Sequence, residues 1–192
     1  MSDQLVTRLE QNQGINDIAL YLNSLSHEER LIEINQLSSK DLKKLYEKGI
    51  VGVTIEDLVP KKYEPLKEVI FQGRNSLPLN RSFQKRMCRS SDDLHLIGYN
   101  HQPLMWASGP GYYVASGHSE RAGEVMIDYT QIPSEKPGSW PLIKSNETGI
   151  GYLVYGGMKD FLRKVSSHVF IGEACKKGKS LNQYFILCRN SL

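Results

Sequence analysis

Cysteine is scarce in this chain of 192 residues, and the three present, Cys88, Cys175 and Cys188, form an odd set with no CxxC pair. That argues against a disulfide framework and against a zinc ribbon. No window is long and apolar enough to cross a bilayer. The first twenty residues hold Asp3, Arg8, Glu10 and Asp17 with no apolar core, unlike a secretory leader. The expected setting is a reducing cytosol, so the chain reads as a cytoplasmic protein that spans no membrane. Also missing are a GxGxxG or GxxxxGK[ST] phosphate loop, a Gly-x-Ser-x-Gly elbow, a helical His-x-x-x-His pair and a haem attachment motif. The usual sequence grounds for nucleotide binding, serine hydrolysis or metal catalysis are therefore absent, and no cofactor is indicated.

What is present is uneven charge. The net +3 hides four blocks. Residues 1–59 hold six Lys/Arg against ten Asp/Glu, 60–91 eight against two, 92–150 three against seven, and 151–192 seven against two. The stretch from 74 to 89, with Arg74, Arg81, Lys85, Arg86 and Arg89, is the basic centre.

The first third has helical spacing. Ile15, Ile18, Ala19 and Leu22 recur on one face. Ser26 with Glu29 three residues on reads as a capping box, and Leu31, Ile34 and Leu37 make the stripe of the helix it opens. Ser38 or Ser39 starts a further helix bearing Leu42, Leu45 and Tyr46, which Gly49 ends by tolerating a left-handed backbone. Thr54 with Asp57 repeats the start signal. Helices of two to three turns do not persist alone in water, so these must pack on one another or on the remainder.

After Pro60 and Pro65 the period changes. Segments 67–72, 94–99, 104–107, 111–116, 124–130, 168–175 and 183–189 are short, rich in aromatic or branched residues and bounded by Gly, Pro, Ser or Asn, as strands are. One hairpin is expected across Gly117 to Gly123 and another across Lys176 to Lys179, with Cys175 facing Gln183 and Cys188 facing Phe170. Alternation sets Asp128 on the face opposite Val125, Ile127 and Tyr129. Ser82–Arg89 is expected to be helical, with Arg81, Lys85 and Arg89 on one face. Val154, Met158, Phe161, Leu162 and Val165 predict an amphipathic helix near 154–166.

The expected class is α+β, with an N-terminal helical segment over 1–59 and an antiparallel β-rich domain over 60–192. That domain is a strongly bent sheet or small barrel with one amphipathic helix. Its layout of hairpins and late helix is similar in outline to small lipocalin-like barrels over roughly residues 67–190. The resemblance is one of layout and carries no specific motif.

Rings and neutral hydrogen-bonding groups gather around Gly98 to Trp106, the composition of a small-molecule pocket. The leading expectation is non-enzymatic binding of a small, mainly apolar or aromatic ligand. Tyr99, Trp106, Tyr113 and Phe161 would supply contact, while His101 and Arg74 would orient a polar or anionic end. A second reading is a small hydrolase or proton-transfer enzyme using His101 or His118 with a nearby carboxylate. A third is an interaction protein, or a nucleic-acid binder, working through the basic 74–89 patch. No RNA-recognition signature accompanies that patch, so nucleic acid is not the expected partner.

Overall fold

Three of the N-terminal helices form where the sequence caps them. The computed structural model describes residues 4–78, 81–103, 105–117 and 120–190. It begins with α1 (Gln4–Glu10), α2 (Ile15–Ser24), α3 (His27–Gln36), α4 (Ser39–Lys48) and the single turn α5 (Ile55–Leu58). Capping boxes open three of them, Ser26 with Glu29, Ser38 with Asp41 and Thr54 with Asp57. In each box the hydroxyl and the carboxylate satisfy backbone N–H groups that have no partner within the helix. Gly49 after α4 is not left-handed, since its φ is −55°. Glycine is needed there for space: a Cβ would lie 2.9 Å from Arg163 Cβ and 3.1 Å from Ile171 Cγ2, where the helix end meets the wall of the second half.

That second half is a closed barrel. Its strands are β1 (Val69–Asn75), β2 (Ser82–Arg89), β3 (Leu96–His101), β4 (Tyr113–Ser116), β5 (Val125–Asp128), β6 (Met158–Lys164), β7 (Val169–Lys176) and β8 (Lys179–Arg189). Each pairs antiparallel with its successor, and β8 returns to β1 with Phe71 opposite Arg189 and Asn75 opposite Phe185. The fold is α+β, a small lipocalin-like barrel preceded by short helices. Closure leaves no free sheet edge.

Inside, Phe71, Met87, Leu96, Leu162, Phe170 and Leu187 pack one half solid, and α5 with Val53 and Val59 stoppers that end. Two inward-facing arginines fix the stopper: Arg89 donates to the carbonyl of Val59 (3.1 Å) and Arg189 to that of Leu58 (2.8 Å). Helices α1 to α4 cover the outer wall of β7 and β8, where Leu42, Leu45 and Tyr46 share a core with Ile171, Tyr184 and Ile186. Burying a large apolar side chain contributes about 1.5–3 kcal/mol. A few such contacts per helix therefore outweigh the marginal stability of a ten-residue helix in water. Among the described residues no helix is long and apolar enough to cross a membrane.

Two segments expected to be helical are strands. Residues 154–166 are not one helix: α7 (Gly149–Tyr155) ends at Gly156 and Gly157, whose φ of +68° breaks the helical path, and β6 follows. The strand is covered on both sides, with Leu162 in the barrel core and Phe161 packed outside against Met126 and Cys175. An apolar residue is thus acceptable on either face, and the period-two signal vanishes. Ser82–Arg89 is β2, where Lys85 shares the inward face with Phe83 and Met87 and so disguises the alternation.

The strand expected over 104–107 is instead a helical turn, α6 (Met105–Ser108), and Leu104 lies outside the described residues. The β7–β8 hairpin turns on Lys177 and Gly178, both at positive φ, and a bulge at Ala174/Cys175 shifts its register. Cys175 therefore faces Ser180, and Cys188 faces Val169. All three cysteines are free and buried in separate clusters.

Candidate functional site in the barrel mouth

Glycines shape the open end. Gly73 is paired across strands with Phe83, Gly98 with Tyr113 and Gly172 with Phe185. Nearest ring atoms stand only 2.6, 2.5 and 2.3 Å from where the respective Cβ atoms would be. Each ring therefore lies down over its glycine, the arrangement by which an aromatic side chain covers a bare stretch of neighbouring strand. Rings pressed to the wall leave the barrel axis free for Lys85, whose Nζ is 5.0 Å from the ring centres of Tyr113 and Tyr129, 5.1 Å from Phe185 and 5.8 Å from Phe83.

Three polar side chains meet that ammonium. Lys85 Nζ donates to Asn100 Oδ1 (3.1 Å), to Asp160 Oδ2 (3.1 Å) and to the Tyr129 hydroxyl. Tyr129 donates to Asp160 Oδ2 (3.0 Å) and accepts from Asn100 Nδ2 (3.1 Å). Lys85 is 2% exposed and Asp160 4%. Loss of hydration pushes Lys85 down from the usual lysine range and Asp160 up from the usual carboxylate range, while their mutual attraction opposes both shifts. Burial, then the Asp160 charge, holds both the Tyr113 and Tyr129 phenols well above their ordinary value. Chemically, the quartet is a buried acid–base pair within one proton's reach, with a phenol bridging it.

Above the quartet lies a cavity of about 360 Å³. Phe83, Met158, Tyr155 and Phe185 wall it, and Val154, Leu181 and Lys176 stand at its rim. Tyr155 stacks on Tyr129 at 5.3 Å, and its hydroxyl accepts from Gln102 Nε2 at 2.9 Å. A larger groove of about 550 Å³ runs along the outer wall between Gln72, Gln84, His101 and Trp106. Its polar groups all reach solvent, whereas Lys85, Asn100 and Asp160 are buried at the cavity floor. Buried polar groups converging on a concavity orient a ligand, so the mouth cavity is the candidate site.

The residues singled out from sequence are distributed as follows. Tyr113 points inward at Lys85. Tyr99 points outward into a ring cluster with Tyr112 and Trp140, at 5.6 and 5.0 Å. His101 lies beside it on the outer wall, ring centres 6.4 Å apart, and lines the outer groove with Trp106, which is 82% exposed. Arg74 lies on the outer face of β1, with Nε bonded to no described residue, and Phe161 sits outside under the guanidinium of Arg121 at 4.2 Å. The structure brings Tyr99, His101 and Trp106 together on the outside and Tyr113 alone to the barrel interior, beside Lys85 but not in the lining of the mouth cavity.

No described carboxylate bonds His101, which is exposed, and His118 falls outside the described residues. The basic patch does not form the common face that a helix would have given. Lys85 is inside the barrel, Arg89 is paired with Asp93 (2.5 Å) and Arg86 with Glu68 (3.5 Å). Asp128 faces away from the barrel interior, yet it is buried and accepts from Thr130 N at 2.8 Å and Gln131 Nε2 at 3.2 Å. Among the described residues no three His, Cys, Asp or Glu side chains gather as a metal would require.

Sequence reasoning missed Lys85, Asn100 and Asp160. The available signal was Phe83-Gln84-Lys85-Arg86-Met87 read at period two, which sets Lys85 between two inward apolar residues. No family model matches the chain, and no curated protein matches it.

Proposed function

We propose that this protein binds a small, mainly apolar or aromatic ligand in the mouth of its barrel, with the ligand's polar end at Lys85, Asn100, Tyr129 and Asp160. The supporting observation is that quartet, desolvated and ring-walled, at the floor of a cavity that opens to solvent. Its volume is at the small end of the roughly 300–1,000 Å³ range of ligand sites, which suits a molecule of one or two rings. Phe83 and Phe185 supply apolar contact beside the quartet and Tyr155 at the side.

Ala174 provides the test. It lies across from Asp160 and Gln183 and lines the cavity. Ala174→Phe fills the ligand's space with a residue that suits a strand. Thermal unfolding against benzyl alcohol, indole, benzaldehyde and benzoate should show raised melting temperatures for some of these with the wild type and none with Ala174→Phe. At about a hundred times Kd the stabilisation is about 2.7 kcal/mol, roughly 5–10 °C for a chain of this size. No shift in the wild type, or equal shifts in both proteins, refutes the reading.

A further inference from the structure

We propose that Lys85 is a carbonyl-reactive amine, and that the ligands this cavity selects are small aldehydes or ketones held as an imine on Nζ. The inference rests on the preceding reading that the mouth cavity takes a small ligand, and it names the ligand's chemical class. Three features of the floor carry it. Nζ lies among the polar atoms that line an open cavity and is walled by four rings, so a ligand's apolar body can stay behind while its carbonyl reaches the amine. Asp160 stands 3.1 Å from Nζ, at hydrogen-bond distance for taking the ammonium proton, and the Tyr129 hydroxyl touches both. Asn100 Oδ1, at 3.1 Å, aims the amine without competing for the proton, because an amide oxygen is not basic.

The surroundings favour that proton transfer. Moving the proton from Lys85 to Asp160 turns two buried charges into two neutral groups, and desolvation shifts both groups in that direction. The ring faces act against it, each favouring the cation by about 0.5–2 kcal/mol. A lysine desolvated in an apolar pocket is a recognised nucleophile.

The chemistry balances without an oxidant or a metal. The Nζ lone pair attacks the carbonyl carbon, and the C=O π pair moves to oxygen, which takes the proton Asp160 holds. The nitrogen of the adduct, now cationic, returns one proton to the Asp160 carboxylate; Asp160, through Tyr129, passes that proton to the departing hydroxyl as the nitrogen lone pair forms the carbon–nitrogen double bond, leaving one water and a protonated imine beside the Asp160 carboxylate. The sum is ammonium plus carbonyl giving protonated imine plus one water.

The test is reductive trapping on the full chain with limiting benzaldehyde and sodium cyanoborohydride, read by intact mass and peptide mapping. One benzyl group on Lys85 is expected, formed about a hundredfold faster than on any surface lysine, since a placed acid–base partner contributes on that order. Saturating benzyl alcohol, which fits the same space and forms no imine, should block it. Asp160→Asn, which keeps the bulk but cannot accept the proton, should lower the rate by a similar factor. Lys85→Met/Asp160→Asn leaves no charge at the cavity floor; it should melt near the wild type and lose the fast labelling. If benzaldehyde raises the melting temperature and Ala174→Phe abolishes that shift, yet labelling falls only on surface lysines, the imine is overturned and the binding reading stands. If neither benzaldehyde nor benzyl alcohol shifts the melting temperature, both fall together.

Discussion

Removing one member of the Lys85–Asp160 pair should cost far more than removing both. Lys85→Met keeps most of the side chain's length and strips its charge, leaving a carboxylate in a site where Asp160 is 4% exposed. Breaking a buried ion pair in this way costs about 3–5 kcal/mol, because the remaining charge has no compensation. Asn100 and Tyr129 are not orphaned by the change, since they bond each other and Tyr129 still reaches Asp160. At about 2–4 °C per kcal/mol for a chain of this length, the melting temperature should drop by roughly 6–20 °C. Asp160→Leu should cost somewhat less, because the ring faces and Asn100 continue to hold the ammonium. The double variant Lys85→Met/Asp160→Leu should return to within about 1 kcal/mol of the wild type or exceed it. Urea denaturation of the four proteins gives the coupling energy, expected at about 2 kcal/mol or more. In Lys85→Met the folded pKa of Asp160 lies above its unfolded value. Its contribution is therefore present below the unfolded pKa and lost as pH rises through the folded one, so this variant should recover stability on acidification from neutral pH. Single costs below about 1 kcal/mol that simply add would show a hydrated floor and refute the reasoning.

Other consequences are open to direct measurement. Gly172→Ala places a methyl 2.3 Å from the Phe185 ring, so it should cost roughly 1–3 kcal/mol in urea denaturation and weaken ligand binding, with Phe185→Leu in the same chain recovering stability; an unchanged protein would remove the ring-over-glycine account. Acid should destabilise the fold through Asp57 and Glu173. Burial alone would raise both, but bonds from Lys164 and Thr54, and from Arg121 and Ser180, outweigh it and lower them. With folded values below unfolded ones, their contribution is present above about pH 4 and is lost as pH falls through the folded values. Lys164→Met should flatten part of that slope in melting curves, and an unaltered slope would exclude Asp57 as a source.

The helices and the barrel wall were legible to different degrees. Ser26, Ser38 and Thr54 announce their helices because a capping box is local and needs no knowledge of the rest of the chain. The alternation of Val125, Ile127 and Tyr129 against Met126 and Asp128 likewise survives into β5, one of the shortest strands of the barrel. β2 and β6 share one disguise, beyond the two-sided burial that already hides β6. Each sends a charged residue inward, Lys85 from one and Asp160 from the other, and each is stable there only because the other strand, not its neighbour in the sheet, supplies the opposite charge across the interior. Their separation in sequence, seventy-five positions, hides the pairing from any pattern read along the chain. The aromatic density that suggested a pocket carried no address: Tyr113 lies in the interior, whereas Tyr99 and Trp106 lie outside. A bent sheet has two faces, and ring content alone does not say which one closes around the axis.

Chemical-shift mapping with benzyl alcohol on isotope-labelled protein separates the two concavities most directly. Binding in the barrel mouth predicts perturbations centred on Asn100, Tyr129, Ala174 and Phe185. Perturbations centred on Gln72, His101 and Trp106, or none at any concentration that the protein tolerates, would contradict it.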